Sequence, residues 1–153
     1  MMSPSEHNPD HPEHPLSDDQ SVAQVVDPAK QIAKVAALQS VSGGFSWEAC
    51  NDQGAPPYRG RVDMTFHVPT GVDRNTYFEQ IAKTMEANGW SAGPPPEQHV
   101  FGTAIHQGGV MASIGISPFL GADGAVQLFG ECRNMGDHRY DNGFSIKDQL
   151  RAG

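Results

Sequence analysis

The stretch GRVDMTFHV, residues 60–68, alternates without a break: Val62, Met64, Phe66 and Val68 fall on one side, Arg61, Asp63, Thr65 and His67 on the other. A period of two is the pattern of a β-strand with one face buried and one face wet. Such half-exposed strands belong to antiparallel sheets covered on a single face. Such a strand therefore needs paired neighbours and a layer over its apolar side.

On the N-terminal side, FSWEAC (residues 45–50) alternates in the same way and leads into the turn-rich loop NDQGAPPY, residues 51–58. On the C-terminal side a helix is expected from a cap at Asp73 through Asn88, with Tyr77, Phe78, Ile81, Ala82 and Met85 as its buried stripe. Gly89 ends it, and Trp90 is placed to fold back onto the last turn, as the residue after a left-handed C-cap does. Gly93 and the run Pro94-Pro95-Pro96 form a stiff connector. Two strands follow, near 98–106 and 109–117, joined as a hairpin by a turn about Gln107-Gly108-Gly109. A last strand runs over 125–132.

Before all of these, Ser17-Asp18-Asp19-Gln20 has the pattern of a capping box, a hydroxyl followed three residues later by Gln. The spacing of Val22, Val25, Val26, Ala29, Ile32, Ala33, Ala36 and Leu38 predicts an amphipathic helix behind it, with a kink or restart at Pro28. The order helix, strand, strand, helix, three strands predicts an α+β fold, an antiparallel sheet of four to five strands carrying two helices on one face. Residues 1–16, with four prolines among polar residues, read as a flexible tether. Residues 17–134 make one domain, and 135–153 a polar C-terminal tail in which Phe144, Ile146 and Leu150 offer docking points.

The apolar fraction of 37% and the charged fraction of 18% are both low, so a core of this size gains from a staple. Cys50 and Cys132 are the only cysteines, each at the end of a strand, and they read as one disulfide. Pairing requires Cα atoms about 4.4–6.8 Å apart. The first and last strands must then be neighbours or meet at one end of the sheet. A lone bridge of this kind persists in oxidising compartments, which points outside the cytoplasm. No apolar run follows a basic start at the N-terminus, and the expectation is that a signal segment was trimmed or precedes Met1. The net charge of −8 argues against nucleic acid and anionic lipid as partners.

No nucleotide, metal-protease, hydrolase or redox motif is present, and no cofactor is expected. The seven histidines, His67, His99, His106 and His138 among them, show no metal-ligand spacing and read as surface residues. His7, His11 and His14 lie in the tether. Glu48, Asp52, Asp63 and Glu131 are the carboxylates near the expected bridge, and Arg59, Arg61 and Arg133 are their natural partners. The loop after Cys50 presents Asn51, Asp52, Gln53, Tyr58 and Arg59 from a fixed frame, and these form the candidate binding loop. Asn and Asp there also bond their own backbone, which alone would explain them.

The runs HPLSDDQ (14–20), VVDPAKQI (25–32), CNDQG (50–54), PPYRG (56–60), GPPP (93–96) and GECRN (130–134), in this order, resemble the LppJ-type lipoproteins of mycobacteria over roughly residues 14–150. The resemblance implies an exported envelope protein, lipidated on a cysteine after a signal peptide, with no established activity. Cys50 has no apolar leader and does not fit as the lipidated residue, so any membrane attachment is through an anchor outside this chain. The matched Cys50 and Cys132 agree with the bridge. The expected function is non-catalytic binding of an envelope protein or small ligand. The alternatives are a small cell-wall hydrolase using Asp52 and Glu131, and a structural protein that self-associates through an edge strand.

Overall fold

Ser17 opens the first helix as its sequence requires: its hydroxyl accepts from the Gln20 amide at 3.1 Å, and the Ser17 amide donates to the Gln20 side-chain Oε1 at 2.9 Å. The computed structural model describes residues 14–94, 103–118 and 122–151. Helix α1 spans Asp18–Val35 as a single helix with Pro28 inside it. The restart expected at Pro28 does not occur. Val25 and Val26 before it and Ala29 and Ile32 after it are buried on one stripe, and that shared packing outweighs the lost backbone bond.

A seven-stranded antiparallel sheet follows, in the order β3-β4-β5-β6-β2-β1-β7. Its strands are β1 Gln39–Ala49, β2 Tyr58–His67, β3 Ser91–Ala92, β4 Thr103–Gln107, β5 Val110–Ile116, β6 Gly124–Phe129 and β7 Phe144–Ser145, with helices α2 Arg74–Glu86 and α3 Lys147–Arg151. Seven strands and three helices replace the four to five and two expected. The additions, β3, β7 and α3, are too short to carry a periodic signal. The hairpin β4–β5 stands where the sequence places it, while the 98–102 part of its first expected strand lies outside the described residues.

Register puts Val62, Met64 and Phe66 of β2 on the same side as Leu128 and Val126 of β6 and Ala112 and Ile114 of β5. All seven are at most 1% exposed, in one cluster with Val25 and Ile32 of α1 and Phe78, Ile81 and Met85 of α2. Both longer helices thus cover one face. Gly60 permits the approach of α1, since a Cβ there would meet the Ser21 carbonyl oxygen at 2.7 Å. At the end of α2, Gly89 has φ +99° and the Trp90 amide donates to the Met85 carbonyl at 3.1 Å, burying the indole as expected. Ile146 and Leu150 are buried as well, so the last residues dock against β1 and α1.

Cys50 and Cys132 form a disulfide with Cα atoms 6.2 Å apart, bridging an interval of 82 residues. β1 and β6 are not neighbours, because β2 lies between them. Their C-terminal ends point the same way, and the bridge closes across the start of β2. Reduction, or Cys50→Ser with Cys132→Ser, should lower unfolding stability by roughly 4–5 kcal/mol in the chain-entropy treatment, measured by urea denaturation with and without reductant.

A second prediction concerns the end of α1. The Leu38 amide donates to the Ala33 carbonyl and the Ala37 amide to the Lys34 carbonyl, a Schellman turn. Ala37 occupies its left-handed position at φ 52°, where a Cβ is unfavourable. Ala37→Gly should raise stability by about 0.5–1 kcal/mol, read as a higher urea midpoint at unchanged slope.

Candidate functional site

The loop between β1 and β2 is built from its own side chains. Asn51 uses both ends of its amide: Nδ2 donates to the Ala55 and Pro56 carbonyls at 2.9 and 3.2 Å, and Oδ1 accepts the Gln53 and Ala55 amides at 3.1 and 3.2 Å. The Tyr58 hydroxyl donates to the Gly54 carbonyl, with its ring 3% exposed. The Cys50 amide reaches the Pro57 carbonyl at 3.1 Å. Asn51 and Tyr58 are thus occupied in shaping the loop. Asp52 and Gln53 stand exposed at its tip. A shallow hollow of about 230 Å³ lies beside the disulfide, walled by Asn51, Asp52, Arg59 and the two cysteines.

Arg59 points away from the helices and joins the loop to the open face of the sheet. Glu48 of β1 accepts from both arginines of β2: Arg59 Nε donates to Oε1 at 2.7 Å and Arg61 Nη1 to Oε2 at 2.7 Å. Arg61 also spans Asp63 with two bonds of 3.1 Å, and Gln127 of β6 donates to Asp63 Oδ1 at 3.1 Å. Both guanidinium groups lie over the Phe129 ring, 4.7 and 5.1 Å from its centroid. Register explains the array, for Glu48 faces Arg59, Arg61 faces Phe129 and Asp63 faces Gln127 on adjacent strands. Burial alone would raise the Glu48 carboxyl, but hydrogen bonds and charge from Arg61 and Arg59 outweigh it and hold the group below its ordinary range. For Arg61, desolvation is likewise outweighed by its bonds to Asp63 and Glu48, which raise it.

The pairing expected of Arg133 is also present, with Nη1 3.1 Å from Glu131 Oε1. Glu131 additionally accepts from Gln24 of α1. Glu131 and Asp52, named above as possible catalytic carboxylates, are therefore placed differently: one is tied between α1 and its neighbouring arginine, the other is exposed at a loop tip.

A larger cavity, about 650 Å³, opens between the start of α2 and strands β5 and β6, lined by Asn75, Phe78, Glu79, Ile114 and Gln127 among others. It lies away from the candidate loop.

Three histidines sit at the periphery, with His67 3.4 Å from Asp123, His106 2.9 Å from the Gly93 carbonyl and His14 exposed. His7, His11 and His99 lie outside the described residues. His138 departs from the surface reading. It is 7% exposed, stacked on Trp47, because the segment after Cys132 folds back along the sheet end. Nothing periodic marks that segment, and only the proximity of Asp137 and Asp141 hinted at partners for the ring.

The Glu48 carboxylate gives a prediction with a sign. Since its folded value is lowered, its stabilisation is present above the unfolded carboxyl range and is lost as pH falls through the folded value. Glu48→Gln should cost about 1–2 kcal/mol near neutral pH and much less in acid, compared by urea unfolding at the two pH values. An equal loss at both would contradict the ion pairing.

Comparison with known proteins bears on this arrangement. Residues 17–149 match the family described as "Putative lipoprotein LppJ". Proteins of that name from Mycobacterium tuberculosis H37Rv and from Mycobacterium bovis are each 46% identical to this chain over 129 residues, which is 84% of this chain and 67% of theirs. No solved structure matches it significantly. Among the described residues, no helix is long and apolar enough to cross a membrane. With a family match over nearly its whole length and relatives at this level of identity, the chain belongs to the LppJ lipoprotein family.

Proposed function

We propose that this chain is an exported, non-catalytic domain of the cell envelope that binds a partner protein or small ligand across the open sheet face and the adjoining loop 51–59. One observation carries the reading. The longer helices cover one face of the sheet, while the opposite face holds a fixed array of Glu48, Arg59, Arg61, Asp63, Gln127 and Phe129. Pre-set polar groups on rigid strands, with a ring among them, suit recognition because little ordering remains to be done on binding.

The family's description as lipoproteins supports an envelope location, and the disulfide suits an oxidising compartment. Nucleic acid is excluded from the proposal on charge. Asp52 and Gln53 are the loop residues free to touch a ligand, and Arg59 links them to the face. Asn51 and Tyr58 contribute by holding the loop's shape, and Cys50 with Cys132 by pinning its base.

Capture from mycobacterial envelope extract on the immobilised, oxidised protein tests this. The wild type should retain a specific component that Asp52→Ala/Gln53→Ala and Phe129→Ala each reduce at least tenfold. A set of captured components identical for all three proteins would refute the site.

A further inference from the structure

His138 is the only buried histidine among the described residues, and its surroundings are chemically one-sided. The imidazole lies flat on the Trp47 indole of β1, centroids 3.7 Å apart and planes 5° apart, with the Tyr58 ring of β2 edge-on at 5.4 Å. Both ring nitrogens are engaged. Nδ1 is 2.6 Å from Asp141 Oδ2, and Nε2 is 3.1 Å from Asp18 Oδ1 of α1 and 2.9 Å from Asn134 Oδ1. All three partners are acceptors. The Asn134 amide cannot be turned over to offer a donor, because its Oδ1 already accepts the Gly136 amide at 2.9 Å. Its Nδ2 donates to Asp18 Oδ1 at 2.9 Å and to the Leu16 carbonyl at 3.3 Å.

A neutral imidazole carries one N–H and one lone pair, so it would aim that lone pair at an oxygen on one side or the other. Only the imidazolium supplies an N–H to both. The indole face beneath it is a favourable seat for a cation. The nearby arginines are directed elsewhere: Arg133 to Glu131 and the His14 carbonyl, Arg139 to Asp137. Asp18 and Asp141 face water on their outer sides, 64% and 48% exposed, so bulk screening weakens their long-range pull. What separates the two ring states is therefore the match of donors to acceptors.

We infer that His138 is a pH-operated clasp, closed when its ring holds both protons and loosened when it gives one up. The segment it secures runs from Asn134 to Asp141 and is tied to the N-terminal stretch of the domain. The Leu16 amide donates to the Arg133 carbonyl at 2.7 Å, and Arg133 Nε donates to the His14 carbonyl at 2.7 Å. Raising the pH thus weakens the hold on the start of α1 and on the stretch leading into it. The inference is independent of the proposed ligand.

Long-range nitrogen–proton NMR of the histidine rings, with amide exchange measured at Gly136, tests it on the intact oxidised protein from about pH 5 to 8, the span in which histidines change charge. The His138 ring, assigned by its absence in His138→Gln, should show both nitrogens protonated at the acid end. The Gly136 protection factor should fall on the order of tenfold as one proton leaves. In Asp141→Asn the new amide can donate to a neutral ring, so protection should stay level across the range. A wild-type ring with one bare nitrogen at every pH would overturn the clasp. So would wild-type protection indifferent to pH, or an Asp141→Asn protein whose protection falls as the wild type's does.

Discussion

Everything at one end of this sheet depends on closing the gap between two strands that never touch. β1 and β6 run in the same direction with β2 between them, and the disulfide from Cys50 to Cys132 joins them just beyond their ends. The closure is not covalent alone. Immediately after Cys132 the chain pairs back onto the start of β2, with the Tyr58 amide on the Asn134 carbonyl at 2.7 Å and the reverse bond at 3.1 Å. The start of β2 therefore lies under a strap, held by sulfur on one side and by backbone pairing on the other. Loop 51–57 leaves and re-enters beneath that strap, which is why a segment with so few apolar residues keeps one shape.

The same end organises both faces of the sheet. On the covered face Gly60 lets the first turn of α1 approach β2, so Ser17, Asp18 and Ser21 come within reach of Asn134 and His138. On the open face Glu48 and Arg59 sit opposite each other at the last residues before the loop. The polar networks of the two faces are thus separated by one sheet thickness and share the strap and the β1–β2 ladder as their frame. Each buried side-chain nitrogen and oxygen among the described residues has a partner, as such networks need if they are not to destabilise the fold.

What the sequence reveals and what it hides divide along physical lines. The alternation of residues 60–68, the Ser17 capping box, the Asp73 cap and the Gly89–Trp90 ending all act through near neighbours in the chain, and each is found where the pattern puts it. Alternation marks β1 only from Phe45, yet the strand begins at Gln39. Gly43 and Gly44 obscure its start, and Gly43 lies where distant residues approach closely, since a Cβ there would meet the Asp63 carbonyl oxygen at 3.0 Å and Leu150 Cδ1 at 2.9 Å. The burial of His138 is hidden for the same reason: its partners Asp18 and Trp47 are 120 and 91 positions away, beyond any local periodicity. That Arg59 and Arg61 pair with nearby carboxylates is legible, whereas the choice of Glu48 and Asp63 and the Phe129 ring beneath them require the β1–β2 and β2–β6 registers.

The arrangement of the open face also constrains what kind of ligand the proposed site would take. Arg59 and Arg61 are both committed to Glu48, and Arg61 to Asp63 as well, so an incoming anion would have to displace a carboxylate already held by several charge-assisted bonds. Simple anion binding is a poor use of such a site. A ligand that leaves the pairs intact and adds to them fits better. The carboxylate oxygens and the Gln127 amide retain hydrogen-bonding capacity, and the outer surfaces of the guanidinium planes can pack against an apolar or ring-shaped group. A neutral, hydroxyl- or amide-bearing surface meets both demands, whereas a strongly charged one of either sign would have to break what the sheet has already arranged.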